Sequence, residues 1–334
     1  MNNDFTWPQG HTAAAAFTFD VDAESCVLAH DPTSADCMSL MSHQSYGPRV
    51  GVPRILRILE RQDVRATFFV PGFTAECYPD TVRAIIDGGH EVGHHGCLHE
   101  PMKGLDPATE ARYLDRGLDT LEEVAGIRPV GYRAPWWEMN WHTPELLVDR
   151  GFLYDSSLLD GDKPYLMATS PASERTLIEI PVDWALDDWE QYAFYPGVTG
   201  SGVIESPAKV LEMWTLEAEA HHAEGGCFAL QGSRIGTTHR ERQSDGRDVG
   251  DHPRGHRGTR PARLHRTLRT HPIRNPHLPR RPAPADFPGP RNCSFRTVRD
   301  PQSSTVTPYS VASVARSYSY PCPTARRRHC PARR

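Results

Sequence analysis

Five polar residues in three short stretches are of the types that bind metal ions and transfer protons. Asp20 and Asp22 end the stretch TFDVD, His95 and His99 stand four apart in GHEVGHHGCLHE, and Arg133 lies in GYRAPWW. One carboxylate and two imidazoles suit catalytic zinc, which commonly keeps three protein ligands and an open position. Asp22, His95 and His99 are therefore predicted to bind a divalent metal, with Zn²⁺ the first choice. Asp20 then remains as a general base, and Arg133 would hold its carboxylate ionised and oriented.

The same residues also have an ordinary structural interpretation, as separate polar groups near the ends of surface loops. An isolated pair of histidines four residues apart is weak evidence for a metal. Here an Asp-x-Asp pattern precedes the pair and an R-x-P-W pattern follows it. The combination favours the metal site over scattered surface polarity.

The elements that must position these residues alternate between apolar runs and helical stretches. Strands are predicted at 13–19, 66–70, 90–94, 129–133 and 177–182, and two more are predicted to begin at 152–154 and 227–230. Helices are predicted at 50–62, 76–88, 107–125, 143–150 and 206–224. This alternation predicts an α/β fold with parallel strands. The ionisable groups come directly after strands, which is where barrel enzymes place their chemistry.

In their order along the chain, these motifs resemble those of the NodB-homology polysaccharide deacetylases. The match runs T-F-D-x-D, A-T-F-F-V-P-G, G-H-E-x-G-x-H-x-x-x-H and R-x-P over about residues 12–230. It is most similar to the cytoplasmic branch, with peptidoglycan-deacetylase-like and allantoinase-like members. The resemblance implies a distorted, incomplete (β/α) barrel and the same roles for the five residues above. It adds Asp155, in YDSS, as a further catalytic acid close to the site.

Three positions around the two histidines depart from the family pattern. His94 replaces the Asn before the first metal ligand, Gly96 replaces the Ser or Thr after it, and Glu100 replaces the Pro after the second. These changes fit the cytoplasmic branch, whose allantoinase-like members include enzymes that work without metal. His94 is interpreted as a supporting residue and not a ligand. The family's last motif, a Leu-x-x-His-Pro pattern that supplies a general acid, is absent after CFAL.

Aromatic and acidic residues near the motifs are candidates for binding substrate. Trp136, Trp137 and Asp188 are predicted to do so, and Asp187, Trp184 and Trp189 share this interpretation. Core packing and solvated surface remain the alternatives.

The expected function is metal-dependent hydrolysis of an amide bond, with N-deacetylation of an N-acetylated sugar or polysaccharide as the leading hypothesis. An allantoinase-like hydrolase of a small amide is the alternative among enzymes. A truncated inactive relative that only binds metal or sugar is the alternative from a different class.

Charge divides the chain into two parts. The formal net charge is −21 up to Leu230 and +16 after it, which together give the −5 of the whole chain. Residues 1–230 are predicted to be the catalytic domain, lacking its last strands. Residues 231–334 are predicted to be an Arg/Pro-rich tail, disordered or translated out of frame. Nucleic-acid binding by this tail is not favoured, because it lacks interleaved aromatic residues and any recognised module.

Targeting signals are not evident in the sequence. The first ten residues have no basic and apolar leader, and no apolar run approaches the length of a membrane span. The eight cysteines form no C-x-x-C pair. These features predict a cytoplasmic protein without a membrane partner, and they leave a homo-oligomer open.

Overall fold

A mostly parallel sheet, curled into an incomplete barrel, forms the centre of the structure. The computed structural model describes Trp7, residues 11–193 and residues 204–232. The strands in this part are β1 Ala14–Asp20, β2 Thr67–Val70, β3 Glu91–His94, β4 Gly131–Tyr132, β5 Tyr154–Asp155, β6 Tyr165–Ala168, β7 Thr176–Glu179 and β8 Cys227–Gly232. Their order in the sheet is β6-β7-β5-β4-β3-β2-β1-β8. Every neighbouring pair is parallel except β6 with β7.

Helices lie between most of these strands. In the described residues they are α1 Ser25–His30, α2 Met38–Gln44, α3 Val52–Gln62, α4 Gly72–Cys77, α5 Pro79–Asp87, α6 Pro107–Ala125, α7 Thr143–Asp149, α8 Trp189–Tyr192 and α9 Pro207–Glu224. Helix α6 has the predicted bounds because both of its ends are capped. The Asp106 side chain accepts hydrogen bonds from the N–H groups of Ala108 and Thr109, and Gly126 ends the helix at φ +68°.

The two ends of the sheet meet through the segment that follows β7. Asp187 forms a parallel bridge with Gln231 of β8, and the Asp188 N–H donates to the Gln231 carbonyl at 3.2 Å. On its other side β8 pairs with β1, from Ala14 opposite Cys227 to Phe19 opposite Gly232. The curled sheet and its surrounding helices form the distorted, incomplete (β/α) barrel that the sequence predicted.

Apolar side chains pack on both faces of the curled sheet. The inner group comes from strands and the segments next to them: Ala16, Phe69, Tyr154, Ile178, Ile180, Cys227 and Ala229. An outer group, between strands and helices α3, α5 and α6, includes Val52, Leu59, Phe68, Ile85 and Leu121. Phe68 and Phe69 belong to different groups because successive residues of a strand point to opposite faces.

The structure corrects the predicted elements at several points. The single helix predicted at 76–88 is two helices that meet at Tyr78, because Pro79 disfavours helical backbone at the residue before it. The short helices α1 and α2 and the antiparallel strand β6 were not predicted. Strand β8 continues to Gly232, two residues past the predicted domain boundary at Leu230.

The predictions for the tail from residue 233 onward fall outside the described residues. Within the described part, no helix combines the length and the apolar character that crossing a membrane requires.

Candidate active site

The predicted site residues come together at the carboxyl ends of parallel strands. Asp20 is the last residue of β1 and Asp22 follows shortly after it, while His95 and Arg133 directly follow β3 and β4. Since parallel strands end at the same side of a barrel, residues far apart in the chain share one cavity there. Its lining consists of Asp20, Asp22, Cys26, His95, His99, Trp136, Trp137, Trp184, Asp187, Trp189 and Glu190.

Three of these side chains have the geometry of a metal site. Asp22 Oδ1 lies 3.4 Å from His95 Nε2, and Asp22 Oδ2 lies 3.6 Å from His99 Nε2. One ligand atom from each residue falls within 4.8 Å of the other two. Ligand atoms on a tetrahedral zinc ion are separated by roughly 3.3 Å. The buried Asp22 Oδ1 has no hydrogen-bond partner in the described residues, so this donor set fits a divalent cation.

The ionisation of Asp22 and His99 suits metal binding as well. Burial would raise the pKa of Asp22, but the neighbouring His99 and His95 lower that pKa below its ordinary 3.8. Burial lowers the pKa of His99 to about 4. Burial also opposes charge on His95, yet the carboxylates of Asp20 and Asp22 raise the pKa of His95 overall. A carboxylate and neutral imidazoles are the forms that bind metal.

The main chain sets the orientation of His95. Its Nδ1 lies 2.8 Å from the carbonyl oxygen of Arg133. A carbonyl only accepts hydrogen bonds, so Nδ1 carries a proton and, in the neutral ring, Nε2 is the nitrogen with the lone pair. Nε2 is the nitrogen that faces Asp22. Metal-binding histidines commonly have such a second hydrogen bond, which fixes both tautomer and ring orientation.

The departures from the family pattern shape the loop that carries His99. Gly96 adopts φ +74°, and a Cβ at this position would lie 3.0 Å from Glu100 Oε2. The Glu100 carboxylate accepts hydrogen bonds from the main-chain N–H groups of Cys97 at 3.0 Å and Leu98 at 2.8 Å. Glycine and glutamate therefore stabilise a tight loop in which His99 itself has φ +56°.

His94 supports the site from the core. Its Nε2 donates to the Leu114 carbonyl at 3.1 Å, and its Nδ1 accepts from the Gly96 N–H at 3.2 Å. Burial lowers the pKa of His94 to about 3, so the ring is neutral. A Cβ on Gly117 would lie 2.4 Å from His94 Nε2, which explains the glycine in α6. With both ring nitrogens engaged, His94 has none left for a metal.

Asp20 and Arg133 form a buried ion pair that lies in the same site as the three predicted metal ligands. Arg133 Nη1 donates to Asp20 Oδ1 at 2.9 Å and to Thr18 Oγ1 at 2.9 Å. Arg133 Nε donates to the Ser156 carbonyl, and Nη2 donates to Ser156 Oγ, both at 2.9 Å. The guanidinium carbon lies 4.3 Å from the centre of the Phe69 ring. These contacts leave Arg133 fully buried and hold its charge against Asp20.

Asp155 lies outside the cavity lining, behind Arg133. Its Oδ1 accepts a hydrogen bond from Ser157 Oγ at 2.8 Å, and Ser157 Oγ in turn accepts from the Ala134 N–H at 2.8 Å. Burial raises the pKa of Asp155 above its ordinary 3.8. Asp155 thus contacts Ser157, which binds the main chain next to Arg133. Because Asp155 does not line the cavity, a substrate bound there does not reach it.

Tryptophans form one wall of the cavity. Trp136 and Trp137 adopt left-handed φ values of +59° and +56°. The ring of Trp137 stacks on Trp184 with centroids 4.1 Å apart. The ring of Trp136 meets His99 at 5.1 Å and Trp189 at 6.1 Å, both edge to face. The left-handed backbone at 136–137 therefore places the Trp136 ring against His99 and the Trp137 ring against Trp184 in the cavity wall.

Acids after β7 also contribute to the wall. Asp187 lines the cavity, whereas its neighbour Asp188, the predicted substrate ligand, does not. Successive residues of an extended chain point in opposite directions, and Asp187 is extended. Cys26 and Glu190 line the cavity without any sequence motif, because they lie in the short helices α1 and α8, which have no periodic signal.

The chain is similar to known deacetylases. Residues 32–154 match the family described as Polysaccharide deacetylase. A peptidoglycan deacetylase-like protein of Gibberella zeae is 34% identical over 58% of this chain and 64% of its own length. A peptidoglycan deacetylase of Helicobacter pylori is 31% identical over 60% of this chain and 75% of its own length. The chain thus spans about two thirds to three quarters of these relatives.

Solved structures show the same fold. A Mycobacterium smegmatis crystal structure named as a polysaccharide deacetylase is 55% identical and has a TM-score of 0.67, covering 69% of this chain and 80% of its own. An allantoinase structure gives a TM-score of 0.58 over the same shares at 24% identity. At that identity the second likeness concerns the fold alone.

Proposed function

Because this chain belongs to the polysaccharide deacetylase family, we propose that it hydrolyses the N-acetyl amide bond of an acetylated sugar in a glycan. The observation that carries the proposal is the adjacency of two groups in one cavity. Asp22, His95 and His99 offer three ligand atoms within 4.8 Å. Asp20 lines the same cavity and is paired with Arg133 at 2.9 Å. Metal-assisted amide hydrolysis uses a Lewis acid and a base, and this arrangement offers residues for both.

Asp22, His95 and His99 would hold the metal, for which Zn²⁺ is the first choice. When bound, the ion would polarise the acetyl carbonyl and make water more acidic. Asp20 takes the proton of the attacking water as general base, and the amide C–N bond breaks as that proton is passed to the leaving nitrogen. Arg133 keeps the Asp20 carboxylate oriented through a bond that is shielded from solvent.

The tryptophan wall is the proposed surface for the sugar ring. Trp184 is 43% exposed and stacks on Trp137, so one of its faces is held while the other can receive substrate. A pyranose ring presents an apolar face that suits an aromatic ring, while its hydroxyl groups require polar partners. Asp187 and Glu190 are the acids of the wall closest in sequence to Trp189 and are the proposed partners for hydroxyl groups.

The substrate class is a glycan that carries N-acetylated amino sugars. The relatives named peptidoglycan deacetylase, from Helicobacter pylori, and peptidoglycan deacetylase-like, from Gibberella zeae, favour peptidoglycan among the possible polymers. Acetate and a free amine on the sugar are the expected products.

Acetate release by the purified full chain tests the proposal. The zinc-loaded and chelated proteins are incubated with N-acetylglucosamine oligomers, peptidoglycan glycan strands and allantoin. Zinc-dependent acetate release that is lost in Asp20→Asn, but not in the exposed control Asp80→Asn, supports deacetylation. Allantoin cleavage without acetate release would identify the allantoinase-like alternative. No product from any substrate, with metal bound, would identify an inactive relative.

A further inference from the structure

Two buried carboxyl groups face each other behind the proposed active site. Asp155 of β5 and Glu179 of β7 are opposite one another in the register of the two parallel strands. Both side chains are fully buried, and each carboxyl group shifts the pKa of the other. Asp155 Oδ2 and Glu179 Oε2 are buried and accept no hydrogen bond from the described residues, so these two oxygens are the atoms available to share a proton. A hydrogen bond between two carboxyl groups forms only when one of them carries a proton.

The other oxygen of each carboxyl group holds the turn after β5. Glu179 Oε1 accepts hydrogen bonds from the main-chain N–H groups of Ser157 at 3.1 Å and Leu158 at 2.9 Å. Asp155 Oδ1 accepts from Ser157 Oγ at 2.8 Å. Three hydrogen bonds from the carboxyl pair therefore fix residues 157–158.

The same turn orients Arg133. The main-chain carbonyl and the hydroxyl oxygen of Ser156 accept hydrogen bonds from Arg133 Nε and Nη2, each at 2.9 Å. Ser157 Oγ accepts from the N–H of Ala134, the next residue after Arg133. Arg133 then donates Nη1 to Asp20. Hydrogen bonds, joined by the covalent link between Ser156 and Ser157, therefore connect Glu179 to the carboxylate proposed as general base.

We propose that Glu179 is a positioning residue, which acts as a neutral hydrogen-bonding bridge to Asp155 and fixes the 156–158 turn that holds Arg133 against Asp20. This role rests on the deacetylase function proposed above. Glu179 touches neither the cavity nor the metal-binding side chains, and it belongs to a strand that the catalytic motifs do not include.

Energetics decide which group carries the proton. Burial, and then the negative charge of Asp155, raises the pKa of Glu179 well above its ordinary 4.5. Burial raises the pKa of Asp155 as well, but the Ser157 hydroxyl and Arg133 oppose this rise. Two adjacent carboxylates without solvent would repel each other strongly, so only one of them ionises. We therefore assign the proton to Glu179 and the charge to Asp155, whose pKa Arg133 lowers.

A neutral bridge can be replaced by glutamine, and this is the basis of the test. In Glu179→Gln the side-chain carbonyl can accept from Ser157 and Leu158, while the NH₂ group can donate to Asp155. In Glu179→Leu none of these bonds forms. The zinc-loaded full chain and both variants are compared for kcat, KM, bound zinc and thermal unfolding.

The expected result is a kcat close to wild type for Glu179→Gln. In Glu179→Leu, kcat should fall by on the order of 100-fold, because a displacement of about 1 Å in a catalytic constellation has an effect of this size. KM and bound zinc should change little in both variants. If folded Glu179→Gln loses as much activity as Glu179→Leu, or folded Glu179→Leu keeps its activity, the proposal is wrong.

An infrared measurement tests the proton independently of activity. Wild-type protein at neutral pH should show the C=O stretch of a protonated carboxylic acid, and Glu179→Gln should lose it. Absence of this band from wild type overturns the proposal even if Glu179→Leu fails to fold. A wild-type protein that shows the band but hydrolyses no amide would refute the proposed function and leave the neutral carboxyl bridge in place.

Discussion

The main-chain carbonyl of Arg133 accepts a hydrogen bond from His95 Nδ1 at 2.8 Å, while the Arg133 side chain binds Asp20 at 2.9 Å. One residue thus contacts both a predicted metal ligand, His95, and the proposed base, Asp20. The two contacts use different parts of Arg133, the backbone and the guanidinium. They can therefore be separated by mutation, since a side-chain substitution leaves the carbonyl in place.

Replacing Arg133 with Leu should lower kcat and leave bound zinc nearly unchanged. The loss should be on the order of 10²–10⁴-fold, the usual contribution of a positioned acid or base. Kinetics and metal analysis of the same preparation measure both quantities. The control is Arg128→Leu, whose side chain is 50% exposed. Zinc loss in parallel with activity would mean that the guanidinium supports the fold of the site instead.

Zinc should stabilise the wild-type protein against heat, and the effect should depend on the three predicted ligands. At free zinc a hundredfold above Kd, the expected gain is about 2.7 kcal/mol. Asp22→Asn and His99→Ala should remove most of this gain, while the exposed His30→Ala should retain it. Thermal unfolding with and without zinc measures the difference. An equal gain in all four proteins would place the zinc elsewhere.

Replacing Trp184 with Ala should raise KM for an acetylated glycan with little change in kcat. An aromatic contact contributes about 0.5–1.5 kcal/mol, which corresponds to a KM rise of roughly two- to tenfold. Trp141→Ala is the matched control, because Trp141 is 98% exposed and is not part of the cavity lining. A comparable rise in both variants would argue against a sugar-binding wall at Trp184.

Glu179→Gln should gain stability relative to wild type as pH rises. The folded protein raises the pKa of Glu179 above its ordinary 4.5. The stability that this group contributes is therefore complete below the unfolded pKa and is lost as pH rises through the folded pKa. Glutamine has no such proton to lose. The difference in Tm, measured from about pH 5 to pH 9, should move in favour of the variant. If the plots of Tm against pH for wild type and Glu179→Gln run parallel, Glu179 ionises at its ordinary pKa in the folded protein.

Replacing Gln231 with Met should stabilise the protein. Gln231 lies beside Thr18 in the β1–β8 register and is fully buried, and neither its Oε1 nor its Nε2 has a hydrogen-bond partner in the described residues. A buried polar group without a partner costs about 1–3 kcal/mol. Denaturant unfolding should recover part of this cost in Gln231→Met, but not in the exposed control Gln62→Met. No gain would mean that the amide has a partner in solution.

Much of the fold and of the site could be predicted from the sequence because local patterns determine them. The cap at Asp106 and the glycine at 126 define α6 without help from the rest of the chain. Asp20 and His95 follow apolar runs, and parallel strands bring such positions to one end of a barrel. The carbonyl that orients His95 could not be predicted in this way, since it depends on where β4 lies beside β3.

Other parts depend on pairing between distant segments, which no local pattern records. Glu179 lies in the apolar run LIEIPV, and the sequence around it does not indicate which residue it contacts. Its role follows from the pairing of β7 with β5, which places it opposite Asp155. Asp187 and Asp188 are equivalent as neighbours in sequence, and only the direction of the extended chain distinguishes them.

The left-handed backbone around the cavity has a consequence for engineering heat resistance. Ala23, His99, Trp136 and Trp137 all have φ between +52° and +59°, a region that disfavours residues with a Cβ. The side chains of the last three belong to the proposed site. Replacing any of them with glycine would relieve backbone strain but lower catalytic activity. Ala23 contributes only a methyl group. Among these four positions, Ala23→Gly is therefore the substitution expected to raise the melting temperature without removing a side chain of the proposed site.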